Sequence, residues 1–236
     1  MSKEVIVLSG SGAIGIAIVR RIAVGKVLLL ADLKIENAEK QAQELRNAGY
    51  NTHTIACDVS NRESVNKLVE TATGLGKIMG LVNTAGVSPS QASAQQIFEV
   101  DLYSNALLFD AFSGVMAKGS SALVIGSQSS HRLDPFTLEQ TKALALTPTE
   151  ALLHLPFIKE VNDSLKAYQL AKRGNALRVQ AEAVNWGHRG ARIICISAGC
   201  SSSVNDNGNL ASDFDKNFKD NFDKINKICV TPHLAW

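Results

Sequence analysis

The run Gly10-Ser11-Gly12-Ala13-Ile14-Gly15 narrows the folding choices of this chain more than any other feature, because of what flanks it. Four apolar residues at strand length, Val5-Ile6-Val7-Leu8, precede it, and an amphipathic stretch from about Ile14 to Val24 follows. Glycines between a buried strand and a helix bring backbone N–H groups and a helix N-terminus together, which suits a pyrophosphate. The first glycine permits the tight turn, the second lets backbone approach phosphate, and the third lets the helix pack close to the strand. Ser9 and Ser11 complete this candidate cradle. The next strand, Val27–Leu30, leads to Asp32 and Leu33, with Asp32 twenty residues beyond Gly12. A carboxylate there accepts hydrogen bonds from adenosine ribose hydroxyls and repels a 2′-phosphate, so NAD is expected over NADP. Lys34 is the one residue that argues the other way.

The alternation of apolar runs and amphipathic stretches continues along the chain. Helices are expected over Glu36–Ala48, Arg62–Ala72, Ile97–Met116 and Tyr168–Trp186, and strands over Thr54–Cys57, Ile78–Val82, Ala122–Gly126 and Arg192–Ile196. Strands alternating with helices in this way predict an α/β fold, a doubly wound parallel sheet of the Rossmann type. A length of 236 residues fits one such domain, 1–236, better than two. Two stretches break the rhythm. Residues 131–167 carry Pro135, Pro148 and Pro156 between short helical segments at Leu138–Ala145 and Thr149–His154, and read as a substrate lid inserted at the strand ends. Residues 201–236 form an atypical C-terminal tail, polar at first and then carrying Phe214, Phe218, Phe222 and Ile225 at helical spacing. Those aromatics could cap a greasy pocket, or pack against the domain or a second subunit.

Composition excludes several classes. The 24 basic and 22 acidic residues are scattered, giving a net charge of +2 and no basic stripe for nucleic acid. The first apolar run is too short for a signal peptide or a membrane span. Four cysteines, Cys57, Cys195, Cys200 and Cys229, lack metal-ligand spacing, so no metal is expected and a reducing cytoplasm is the natural compartment. His131 and His154 lie in or near the insertion, where they could touch substrate or simply face solvent.

Tyr168-Gln169-Leu170-Ala171-Lys172 places a phenol and an ammonium four residues apart on one helix, facing the same way. A free phenol holds its proton too tightly for exchange near neutrality, but a nearby ammonium stabilises the phenolate. Tyr168 is therefore a candidate general acid or base. Four further motifs fall in order: Asp58-Val59 after the third strand, Asn83-Thr84-Ala85-Gly86 after the fourth, Ser127 after the fifth, and Ile196-Ser197-Ala198-Gly199 at the sixth. Ser129 and Ser130 compete with Ser127, whose place directly at a strand end favours it.

This ordered set resembles the short-chain dehydrogenase/reductase family over residues 3 to about 200. The insertion between serine and tyrosine is similar to that of the branch containing bacterial 3α-hydroxysteroid dehydrogenase and carbonyl reductase. The resemblance implies that Asp58 and Val59 sit by the adenine, that Asn83–Gly86 line the cofactor, and that Ala198 and Gly199 lie beside the nicotinamide. It makes Ser127 the holder of the substrate oxygen, Tyr168 the proton donor, and Lys172 both a ribose ligand and the group that tunes Tyr168. It also implies a homodimer or homotetramer, and an alcohol or ketone substrate that the insertion's leucines and Phe157 suggest is apolar. Departures from the family pattern are a glycine loop one residue short, Ala198 for a proline, no recognisable last strand, and Asp101 for an asparagine. A proton relay through that helix must then use the Asp101 carboxylate or be absent. These departures motivate an alternative reading, a catalytically silent NAD-binding sensor or assembly protein with a degenerate C-terminus.

Overall fold

Val5 and Val7 of β1 (Glu4–Ser9) join one apolar cluster and Ile6 and Leu8 another, because successive side chains leave a strand on opposite faces. β2 (Val27–Asp32) repeats the division, with Leu29 on one side and Leu28 and Leu30 on the other. Strands that are apolar at every position need cover on both faces. In this computed structural model, which describes residues 2–199, helices supply it. α1 (Ala13–Ile22) and α2 (Ile35–Asn47) cover one face through Ile16, Val19, Ala38, Ala42 and Leu45. α3 (Arg62–Leu75), α5 (Ser104–Ser113) and α9 (Ser164–His188) cover the other through Val65, Leu68, Phe109, Phe112 and Trp186.

With β3 (Asn51–Ala56), β4 (Lys77–Asn83), β5 (Met116–Ser127) and β6 (Arg192–Ala198), the strands form one parallel sheet of order β3-β2-β1-β4-β5-β6. The order reverses between β1 and β4, and a crevice opens at the strand ends there. This is the doubly wound Rossmann fold expected from the alternation. One compact unit runs as far as Ser197; Ala198 and Gly199 belong to a second. The helix expected around Phe214 lies outside the described residues. Among the described residues no helix is long and apolar enough to cross a membrane, and no group of three or more His, Cys, Asp or Glu could hold a metal ion.

Several expected boundaries shift, with β3 starting at Asn51 rather than Thr54 and α9 at Ser164 rather than Tyr168, and two elements change more. The single helix expected over Ile97–Met116 is instead α4 (Ala94–Ile97), a π-helical segment over Phe98–Tyr103, and α5, which stops at Ser113. Val115 and Met116 continue the apolar pattern, but Met116 already belongs to β5. β5 is accordingly twelve residues long rather than the five of Ala122–Gly126. The polar run Lys118–Ser121 hid its first half, where Gly119 (φ +86°) lies at a register shift opposite β4.

The insertion follows β5 as a short 3₁₀ turn (Gln128–Arg132), α6 (Leu138–Leu146), α7 (Thr149–Leu152) and α8 (Pro156–Lys159). Thr137 and Gln140 form a capping box on α6, and Asp163 caps α9 by accepting from the Lys166 N–H at 2.7 Å. Leu144, Leu152 and Ile158 share an apolar cluster with Ile97, Leu102, Leu170 and Leu177, so the insertion packs directly on α9. Buried Arg178 of α9 fastens it: one guanidinium nitrogen donates to the Leu144 and Thr147 carbonyls, at 3.2 and 2.8 Å, at the C-terminal end of α6. Arg178→Met would strand both carbonyls, so stability should fall by ~2 kcal/mol in urea unfolding, with faster proteolysis inside 131–167. Unchanged stability and cleavage would show that Arg178 is not a fastener.

Candidate active site

The three glycines of the loop do separate jobs. Gly10 has φ +84°, and a Cβ there would meet the Ala85 backbone nitrogen at 2.4 Å. At Gly15 a Cβ would strike Thr84 Oγ1 at 2.5 Å and Leu8 Cδ1 at 2.7 Å, so only glycine lets α1 pack this close. Gly12 has nothing within 4 Å of that position. It is also the N-cap of α1 and offers no side-chain acceptor, and no acidic residue occupies the first turn. The N–H groups at this helix start are thus left for an anion, in a field that favours one.

Asp32 stands at the end of β2 beside this loop. Its Oδ2 accepts from the Ser11 hydroxyl at 2.5 Å and the Ser11 N–H at 3.0 Å; its Oδ1 accepts from the Lys34 N–H and the Asn37 amide. Partial burial works to raise its pKa, but these hydrogen bonds outweigh it and hold the carboxyl below the ordinary aspartate range. Asp32 is therefore a firmly ionised group tied to the loop. Leu33 is exposed, and Val59 is buried in the core beside Cys57. Asp58 is exposed, its Oδ1 accepting from the Ser60 N–H and hydroxyl.

The loop after β4 is stitched directly to the first loop. The Thr84 and Ala85 N–H groups both donate to the Ser9 carbonyl, at 2.8 and 3.0 Å, and the Thr84 hydroxyl donates to the Gly10 carbonyl at 2.7 Å. Beneath them the Ser9 hydroxyl donates to the Asn83 side-chain oxygen, and Asn83 Nδ2 donates to Asn105 at 2.8 Å. Asn105 and Asn175 then both donate to the backbone carbonyl of Asp101, at 2.9 and 2.8 Å. This buried chain of amides runs from the glycine loop to the π segment and on to α9.

Lys172 lies at its end. Its ammonium is 3.1 Å from Asp101 Oδ2, donates to the Ile125 carbonyl at 3.3 Å, and sits 5.3 Å from the centre of the Tyr168 ring. Burial alone would lower the lysine pKa, but Asp101, and then Tyr168, hold it above the usual range. For Asp101 burial dominates and raises its pKa, with Lys172 and the Val87 N–H pulling the other way. Tyr168 is partly buried, and its hydroxyl makes no hydrogen bond with protein among the described residues. Ser127 ends β5, its hydroxyl 2.9 Å from that of Ser129, while buried Ser130 donates to the Ser127 carbonyl at 2.7 Å.

Several residues read from the sequence are therefore linked in a row: Asp32 and Asn83–Ala85 to the glycine loop by hydrogen bonds, Gly86 to Lys172 by packing, and Lys172 to the Tyr168 ring at 5.3 Å. Ala198 closes β6 and Gly199 follows it, in the second unit. The two histidines lie elsewhere. His154 lines a cavity of about 570 Å³ between α4 and the insertion, and His131 a smaller one of about 140 Å³ with Ser130 and Arg173. Sequence reasoning missed Asn105, Asn175 and Arg178. Asn175 and Arg178 are three and six residues beyond Lys172 on the same helix, and polar residues recurring inside an otherwise buried helix were the available signal.

Residues 3–139 match the family model described as short chain dehydrogenase. A short-chain dehydrogenase/reductase of Alternaria brassicicola is 33% identical over 206 residues, covering 84% of this chain and 73% of that protein. A Bos taurus protein named dehydrogenase/reductase SDR family member 4 is 29% identical over 167 residues, covering 64% of this chain and 60% of its own length. Among solved structures, a short-chain dehydrogenase/reductase from Serratia marcescens matches with TM-score 0.68 at 20% identity, over 92% of this chain and 81% of that one. An NAD+-bound xylitol dehydrogenase matches with TM-score 0.64 at 20% identity, over 84% and 70%. The motif order, the sheet and the family match converge: this chain belongs to the short-chain dehydrogenase family and is an oxidoreductase of that kind.

Proposed function

We propose that this chain interconverts a secondary alcohol and a ketone with NAD(H), with Tyr168 as general acid and base. The observation that carries the reading is the buried Lys172 ammonium, held 5.3 Å from the Tyr168 ring next to the glycine-loop crevice. NAD(H), when bound, supplies or accepts the hydride. Tyr168 passes the hydroxyl proton to and from the substrate oxygen, Lys172 stabilises the phenolate that this leaves, and Ser127 hydrogen-bonds the same oxygen. The residues present fit the cofactor: the open face of Gly12 and the uncapped start of α1 suit a pyrophosphate, and ionised Asp32 suits ribose hydroxyls. The NAD+-bound xylitol dehydrogenase of like fold supports the same choice.

Finer assignments belong to this proposal too. The apolar cluster of the insertion favours an apolar substrate, as in the hydroxysteroid dehydrogenase and carbonyl reductase branch. A cytoplasmic homodimer or homotetramer is the corresponding assembly. A fluorescence screen of secondary alcohols and ketones with NAD(H) and NADP(H), beside calorimetry of each cofactor, tests the reading: turnover with NAD(H) supports it, and binding without turnover on any substrate overturns it. Asp32→Ser should shift the preference toward NADP by roughly tenfold or more, since a phosphate about 4 Å from a carboxylate near a surface is repelled by about 1–4 kcal/mol. An unchanged cofactor ratio would remove Asp32 from the site.

A further inference from the structure

The end of β5 has little room to shift, because a Cβ at Gly126 would already lie 2.8 Å from Cys195 Sγ and 3.5 Å from Ser197 Oγ of β6. Ser127 leaves it in an extended conformation, with φ −153° and ψ 143°, and caps the 3₁₀ turn that follows. Buried Ser130 holds that turn closed by donating to the Ser127 carbonyl at 2.7 Å. Ser129 acts on the side chain instead. Its N–H donates to the Ser127 hydroxyl oxygen at 3.2 Å, and its own hydroxyl oxygen lies 2.9 Å from the same atom. No further protein group among the described residues bonds either hydroxyl.

A serine hydroxyl carries one proton to donate and two lone pairs with which to accept. The Ser129 N–H takes one lone pair of Ser127. When the Ser129 hydroxyl takes the other, the Ser127 proton is left for an oxygen that arrives from outside the protein. We infer that Ser129 is a positioning residue: its hydroxyl donates to Ser127, so that Ser127 meets the substrate oxygen as a donor only. Hydrogen bonds in a chain polarise one another, and the chain from Ser129 through Ser127 to the substrate strengthens as negative charge gathers on the substrate oxygen. The opposite arrangement, with Ser127 donating to Ser129, would turn a lone pair of Ser127 toward an oxygen that is itself rich in electrons. The catalytic consequence rests on the dehydrogenase reading above, while the hydroxyl pairing does not.

Steady-state kinetics of Ser129→Ala, Ser127→Ala and the double variant with NAD(H) are the first half of the test. Ser129→Ala should lower kcat about tenfold and leave KM and the melting temperature near wild type, because the lost bond gains its strength only as charge develops. Ser127→Ala should cost at least about a hundredfold. On top of it Ser129→Ala should cost less than about twofold, since the hydroxyl through which it acts is gone. A loss of equal size in both backgrounds, or no loss in either, overturns the proposal. The second half needs neither cofactor nor substrate. In the full chain carrying Ser127→Cys, the Ser129 hydroxyl and N–H stabilise the thiolate at position 127. Adding Ser129→Ala should slow iodoacetamide alkylation there roughly fivefold at pH 7 and move its pH profile upward. Mass spectrometry of the peptide spanning position 127 separates this thiol from Cys57, Cys195, Cys200 and Cys229. Equal alkylation rates in the two chains overturn the pairing. If the wild-type chain turns over no alcohol or ketone, the dehydrogenase reading fails, and the alkylation rates still decide the pairing.

Discussion

Replacing Tyr168 with Phe should reduce turnover by ~10³-fold, the scale expected for losing a positioned general acid or base. The substitution deletes one oxygen that makes no hydrogen bond with the protein among the described residues, and the ring keeps its apolar neighbours in the insertion cluster. Stability and NAD(H) affinity should therefore stay near wild type, which separates lost chemistry from lost structure. Steady-state kinetics together with cofactor titration give the answer. A variant retaining full kcat would remove the proton-transfer role from Tyr168, and a variant that loses cofactor affinity in proportion to rate would recast it as a binding residue.

The glycine loop should answer in opposite ways at positions only two residues apart. Gly10→Ala forces a side chain onto a φ of +84° and into backbone 2.4 Å away, so stability should drop by ~3 kcal/mol and NAD(H) binding with it. Gly12 has φ −72° and open space, a conformation that alanine adopts freely. Gly12→Ala should change stability by no more than about 1 kcal/mol, since the lower entropy of its unfolded state works against alanine's poor fit at an N-cap. It should nevertheless weaken NAD(H) binding at least tenfold, because the new methyl enters the space proposed for the pyrophosphate. Melting curves with and without NADH measure both effects at once. Equal losses of stability in the two variants would contradict the division of labour drawn from the loop.

Much of this was legible in the residues themselves. Val5–Leu8, the glycines and Asp32 gave strand, turn, helix and carboxylate, because each depends on local chain geometry and the apolar pattern. Tyr168 and Lys172 were legible for the same reason, since helical spacing alone sets them side by side. What escaped depends on contacts made far apart in the chain. The amide relay from Asn83 through Asn105 to Asn175 has no periodic signature, and Arg178 reads as an ordinary helix residue until α6 is laid against it. The break in the expected Ile97–Met116 helix was hidden because a π segment keeps helical composition while changing which side chain turns inward. Asp101 stands out in the sequence as a departure from a family pattern, but its direct contact with Lys172 depends on the fold.

One consequence of the Arg178 fastening concerns how substrate gets in. The helix that carries Tyr168 also grips the middle of the inserted segment, at Leu144 and Thr147. A flap riveted at its centre does not swing as a rigid door. Under the proposed function, in which 131–167 is a substrate lid, admission and release are worked by the stretches on either side, Leu133–Phe136 ahead of the rivet and Val161–Asp163 behind it, and changes of substrate range should be sought there first.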